Sequence, residues 1–202
     1  MEQITANILW LAGFSNGDFS IPISVRPSPK SKLKWRISIK LTWSQNEIPF
    51  VAGFLDADGA IKIRVSRTDQ YSLGYSTSPD ITIDSSDVDV IEKVKSILIQ
   101  NGIEVPQRQS FSNRGIPMTR LEIIKLTEVR KTLELLIPYL VGRKRIQAEL
   151  MLTNILPIFE SGRHLTKEGF IELMELRDVM VLSKKKDIRK YKTTYFKKLW
   201  NL

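Results

Sequence analysis

Two hydrophobic periods alternate along the chain. Ile61, Ile63 and Val65 alternate with Lys62, Arg64 and Ser66, the period of two that marks a strand with one apolar face. Residues 71–84 supply its partner. Over 88–102 the apolar positions Val90, Ile91, Val94, Ile97 and Leu98 fall at helical spacing and end on Gly102. Residues 107–112 and 118–124, joined across Asn113, Arg114 and Gly115, predict a second hairpin. Thr127 is placed to cap a helix running to about Ile137, with Glu128 in its first turn. Residues 143–156 predict another helix, with Ala148, Met151 and Leu152 on its apolar side. The stretch 166–183 predicts the last long one, capped by Thr166 and weakened at Gly169. With a helix at 48–59 in front, the order is αββαββα. That is an α+β fold, a four-stranded antiparallel sheet with helices on one face.

The helix at 48–59 breaks local rules. Pro49 suits its first turn and Gly59 its end. Gly53 sits mid-helix, where glycine costs about 0.5–1 kcal/mol relative to alanine. Asp56 and Asp58 lie in the last turn, where the helix dipole disfavours each by about 0.3–1 kcal/mol. Rules broken together mark function. Gly53 and Ala57, four apart, form a nearly side-chain-free ridge on which a second helix can pack closely. Two such helices side by side crowd two Asp58-type carboxylates, and oxygen-rich sites of that kind select magnesium or a similar hard ion. A calcium loop starting at Asp56 is excluded, because its twelfth position is Arg67 rather than glutamate.

Residues 51–59, VAGFLDADG, resemble the signature of the LAGLIDADG homing endonucleases, with conservative differences at the first, fourth and fifth positions. A weaker copy precedes it. Leu11-Ala12-Gly13-Phe14-Ser15-Asn16-Gly17-Asp18 repeats the ridge at Gly13 and Gly17 and aligns Asp18 with Asp58, but has Asn16 for the first acid and Phe19 for the last glycine. After it, Phe19, Ile21, Ile23 and Val25, then Trp35, Ile37, Ile39, Leu41 and Trp43, alternate as a β-hairpin. Complete halves are expected about a hundred residues apart. These copies are 40 apart, so residues 1–47 read as a truncated copy and 48–202 as the complete unit with a basic C-terminal extension.

The chain has 202 residues, 42% of them hydrophobic, and a net charge of +9, which points to a polyanion such as nucleic acid. There is no cysteine and a single histidine, His164, which excludes disulfides, thiolate metal sites and His-rich zinc sites. No apolar run is long enough for a membrane span, and residues 4–11 do not make a signal peptide. The expectation is an intracellular protein, not secreted, lying with its host DNA in an organelle or a prokaryotic cytoplasm.

The resemblance implies an intron-encoded, site-specific enzyme hydrolysing DNA phosphodiester bonds with Mg2+ or Mn2+. Asp58, and Asp18 in the partial copy, would ligate metal; Asp56 would hold the helix end. The segment Pro138-Tyr139-Leu140 followed by Gly142-Arg143-Lys144-Arg145 resembles the one that brings a lysine to the active site, so Lys144 takes that role, with Arg143 or Arg145 as alternatives. Where the family often places a glutamine, this chain has Gln45 in the partial copy and about Ser86 in the main unit. The sheet is expected to form a saddle over double-stranded DNA. Lys62, Arg64, Arg67, Arg108, Arg114, Arg120, Arg143 and Arg145 are its cationic contacts, and Gln107 and Gln109 its candidate base readers. The stretch 184–198 reads either as a DNA-contacting arm or as a helix ending in solvated charges. Intron RNA, for a maturase, and DNA bound without cleavage are the alternatives on the same scaffold.

Both strands are cut only if two sites are present, and a homodimer through the 51–58 helix is expected. An internal pair would require residues 46–48, at most ~10 Å extended, to span ~16 Å of helix.

Overall fold

The computed structural model describes residues 47–112, 114–180 and 189–202. Asp18, the first hairpin and Gln45 lie outside the described residues, as do Asn113 and 181–188. Helix α1 (Ile48–Ala57) is followed by strands β1 (Ala60–Arg67) and β2 (Tyr75–Ser85), helix α2 (Val88–Gln100), and strands β3 (Gln107–Phe111) and β4 (Pro117–Ile123). Helices α3 (Leu126–Leu136), α4 (Gly142–Leu150), α5 (Leu156–Glu160), α6 (Lys167–Val179) and α7 (Thr193–Trp200) complete the order. The strands make one antiparallel sheet, β1-β2-β4-β3.

Strand alternation separates two faces. Ile61, Ile63, Ile81, Ile83, Leu121 and Ile123 are all buried, and the register pairs Ile81 with both Ile61 and Ile123. Each such side chain contributes about 1.5–3 kcal/mol on burial. A one-residue slip would turn the whole set to solvent, so the register is strongly fixed.

Helix α2 has the predicted ends. Asp87 caps it by accepting from the Asp89 and Val90 amides. Gly102, at φ 73°, reverses the chain so that the Ile103 N–H donates to the Leu98 carbonyl at 3.1 Å. Helix α1 is different: Pro49 through Leu55 are buried one after another. An amphipathic covering helix would expose one side, so α1 is a core element.

Three helix expectations need correction. Thr127 is not a cap: α3 starts at Leu126 after an extended Lys125, which puts Thr127 inside the first turn. The helix expected over 143–156 starts at Gly142 and is interrupted by a π-helical turn at Met151–Ile155 before continuing as α5. Pro157 removes a helical donor and would collide with the preceding turn, and the wider turn absorbs this. Gly169 is no weak point, since a Cβ there would lie 2.2 Å from the Arg163 carbonyl oxygen. Thr166 does cap α6, accepting from the Gly169 amide at 3.1 Å.

The described C-terminal residues form a packed helix rather than an arm. Phe196 is buried, Tyr75 and Tyr195 hydroxyls share a hydrogen bond of 2.7 Å, and Lys197 pairs with Glu175. Arg177 of α6 donates to the Ile63 carbonyl at 3.0 Å, occupying the outer edge of β1.

Candidate active site and nucleic-acid interface

Asp58 is the C-terminal capping residue of α1 and its side chain is exposed. The chain turns into β1 at once, because Gly59 packs flat on the last helical turn. A Cβ at Gly59 would sit 2.8 Å from the Leu55 Cα and carbonyl oxygen. The beginning of α4 arrives at this same point. The Val141 N–H donates to the Asp56 carboxylate at 3.1 Å, and Lys144 Nζ donates to the Gly59 carbonyl. Both ties join residues 85 apart in sequence. They explain the rule-breaking acids: Asp56 is unfavourable at the end of α1 but favourable at the start of α4, and the Lys144 cation offsets the carbonyl end of α1.

The same geometry separates Lys144 from its neighbours. Arg145 turns along α4 to pair with Glu149 at 2.9 Å, and Arg143 is exposed. Ser86 is exposed in the bend after β2. Since Ala60 pairs with Thr82, β2 runs past the start of β1 and leaves Ser86 at the Asp58 end of the sheet.

On the sheet face away from the core, alternation gathers Lys62 and Arg64 of β1, Asp80, Thr82 and Asp84 of β2, Arg120 and Glu122 of β4, and Arg108 of β3. Arg64 Nη2 donates to Asp80 Oδ2 at 2.9 Å and, reaching across β2, to Glu122 Oε1. Arg108 meets the same Glu122 oxygen at 2.8 Å, and Arg120 Nε meets Asp84 at 3.1 Å. Burial works against the Arg64 charge, but Glu122 and Asp80 outweigh it and hold the guanidinium pKa above its ordinary value.

Three expected contacts lie elsewhere. Arg67 shares the parity of Ile61, Ile63 and Val65, so it falls on the helix side of β1. Gln107 and Gln109 pair with the inward Leu121 and Thr119 and occupy the helix side of β3. Gln107 hydrogen-bonds with Lys95 and Glu92 of α2, so it faces away from the open surface. Arg114 is exposed in the β3–β4 turn. The sequence reading missed the carboxylates Asp80, Asp84 and Glu122, although period two in β2 and β4 places them among the cations.

Residues 51–148 match the LAGLIDADG endonuclease family model. The fold is that of solved LAGLIDADG homing endonucleases. I-CvuI in complex with the I-CreI target in the presence of Mg is 24% identical at a TM-score of 0.63, covering 77% of this chain and 92% of that one. The archaeal intron-encoded homing endonuclease I-Vdi141I complexed with DNA is 19% identical at 0.61, covering 77% and 94%. The LAGLIDADG meganuclease I-CpaMI bound to uncleaved DNA is 19% identical at 0.58, covering 78% of this chain but 50% of that one. No curated protein sequence matches the chain. By its sequence over residues 51–148 and by its fold, the motif unit is thus of the LAGLIDADG endonuclease kind. Among the described residues no helix is long and apolar enough to cross a membrane.

Among those residues no three metal-ligating side chains gather at one point. Magnesium is commonly held by one or two carboxylates together with substrate phosphate and water. An exposed Asp58 at a helix end fits that pattern as one ligand of a shared site.

Proposed function

We propose that this protein is a site-specific, metal-dependent DNA endonuclease that hydrolyses phosphodiester bonds at paired motif-helix ends. The observation that carries this reading is the convergence of Asp58 and Lys144 at one point, fixed by the Asp56–Val141 and Lys144–Gly59 hydrogen bonds. A bound Mg2+ or Mn2+ would polarise the scissile phosphate and lower the pKa of a water nucleophile. Asp58 would supply the anionic ligand. Lys144, held by a backbone carbonyl, would place its cation where negative charge grows on the phosphate. The open sheet face would bind the duplex, with Lys62, Arg64, Arg108 and Arg120 in its middle, Arg114 at the hairpin tip, Arg143 and Arg145 near the cleavage end, and Ser86 ordering solvent there.

The second acidic helix end comes from another copy of the chain in a homodimer through residues 51–58. One observation favours a second arrangement. Pro49 through Leu55 are already buried in the single chain, which suits a partner supplied by the chain itself, with Asp18 as the opposing carboxylate. Mass in solution, measured on the DNA-bound protein, separates a dimer from a monomer.

The test is incubation with Mg2+ and a DNA library containing the insertion-site sequence. Cleavage that disappears in Asp58→Asn while DNA binding persists supports the assignment. Full cleavage by that variant would sink it, and binding without cleavage by the unmodified chain would leave a DNA-binding protein on a nuclease scaffold.

A further inference from the structure

The middle of the open sheet face is nearly neutral. Its strand residues include four cationic side chains, Lys62, Arg64, Arg108 and Arg120, and three carboxylates, Asp80, Asp84 and Glu122. The net charge of that set is +1, against +9 for the chain. A surface built only to grip phosphate would not carry acids there. Asp80 and Glu122 are moreover the buried members, 0% and 8% exposed, while Arg64 and Arg108 lie over them with 35% and 51% of their side chains exposed.

The pairing is selective. Arg64 is held from both sides, by Asp80 and by Glu122, and both contacts fall on Nη2. The other N–H groups of the guanidinium fork point to neither carboxylate. Arg108 stands directly opposite Arg120 on the adjacent strand, a like-charge pairing that destabilises a sheet. It is tolerated because the two arginines pair with different acids, Arg108 with Glu122, which it shares with Arg64, and Arg120 with Asp84.

We propose that Asp80 and Glu122 are positioning residues for base recognition: they fix Arg64 and Arg108 so that these side chains read guanine edges instead of gripping the DNA backbone. This rests on the reading of the open face as a DNA-binding surface. An arginine already paired releases few counterions when it meets DNA and so adds little salt-dependent affinity. A guanidinium held in one orientation loses less freedom on binding: Arg108, with one Nη2 contact, keeps a two-N–H fork for O6 and N7 of guanine, and Arg64 keeps its Nη1 and Nε N–H groups for the acceptors of a guanine edge. The carboxylates also repel phosphate, which penalises a duplex docked out of register.

The experiment uses the full chain without divalent metal, so that binding is read apart from cleavage. A random duplex library defines the preferred site, and affinities are then measured for that site, for single-base variants and for unrelated duplex across a salt series. In Glu122→Gln, affinity for unrelated duplex should rise a few-fold and the salt slope should steepen by about one unit. Discrimination at one or more G·C pairs should fall about tenfold or more. Arg64→Lys keeps the charge but loses the fork, and should relax a G·C position at an unchanged salt slope. Asp80→Asn, which removes the other acid from Arg64, should relax the same position and decides the positioning role if Glu122→Gln does not fold. An unchanged base profile in Arg64→Lys, or a uniform loss across all duplexes, would overturn the proposal. If the unmodified chain binds no duplex at all, the DNA-binding reading falls; if it binds selectively and the variants keep its profile, only the positioning role falls.

Discussion

A single methyl group at position 59 should damage cleavage far more than folding. In Gly59→Ala the new Cβ would lie 2.8 Å from the Leu55 Cα and carbonyl oxygen and 2.2 Å from Leu55 Cδ1. The Cδ1 end can rotate away, but the backbone atoms belong to the last turn of α1 and cannot. Carbon atoms rest about 3.5–4.0 Å apart, so the turn carrying Asp58 must move by roughly 0.7–1.2 Å. Forced overpacking of this kind costs about 1–3 kcal/mol. For a domain of this size that lowers the melting temperature by roughly 2–12 °C. The larger effect is on geometry, because the Gly59 carbonyl is the acceptor that holds Lys144. A misplacement of about 1 Å can cost on the order of a hundredfold in rate. The assay is single-turnover cleavage of the preferred duplex below the melting transition, beside a thermal scan. Gly74→Ala is the control: its φ of +73° makes alanine strained, but open space surrounds it and it lies in the distant β1–β2 loop. It should lose about 1–2 kcal/mol of stability with an unchanged cleavage rate. Equal cleavage by Gly59→Ala and Gly74→Ala would refute the account.

The remaining predictions concern chemistry, pH and the core. Lys144→Met should lower the single-turnover cleavage rate at least tenfold while changing duplex affinity little; a pure binding defect would make Lys144 a phosphate contact. Burial pushes the His164 imidazole below its ordinary pKa, against an opposing hydrogen bond with the Ile158 backbone. The unfolded chain then protonates first, so the stability contributed by the neutral ring is complete above about pH 6.5 and is lost as pH falls below it. Melting temperatures from pH 7 to 5 should fall more steeply for the unmodified chain than for His164→Phe, and parallel curves would contradict this. Ile81→Ala, at the centre of the sheet's inner face, should cost about 2–5 kcal/mol in denaturant unfolding, and a loss under 1 kcal/mol would mean that face is loosely packed.

Legibility in the sequence followed the strength of the apolar pattern. β1 and α2 were readable because their apolar residues keep a regular period, and the motif end was readable because its glycines and acids break one. β3 was legible as a strand but not in its phase: the only apolar residue at its inward positions is Phe111, exposed at the strand end, so little that is local sets which face is buried. Only pairing with Leu121 and Thr119 shows that Gln107 and Gln109 face the helices. Arg67 continues the parity of Val65 and so belongs to the helix side, although its charge suggests the open face. Asp80 and Glu122 follow the same alternation onto the open face, where their charge is opposite to that of the chain as a whole. The meeting of Lys144 with Gly59 depends on how α4 crosses β1, which no local pattern encodes.

The π-helical turn at Met151–Ile155 separates two demands on one rod. A regular α-helix turns about 100° per residue, so the direction of Lys144 at the front would dictate which side chains face the core at the back. One additional residue in the turn breaks that rigid phase relation. Lys144 can aim at the end of α1 while Leu156, Ile158 and Phe159 bury behind it. The wide turn thus works as an angular offset, letting the reactive end and the anchored end of the rod be set independently.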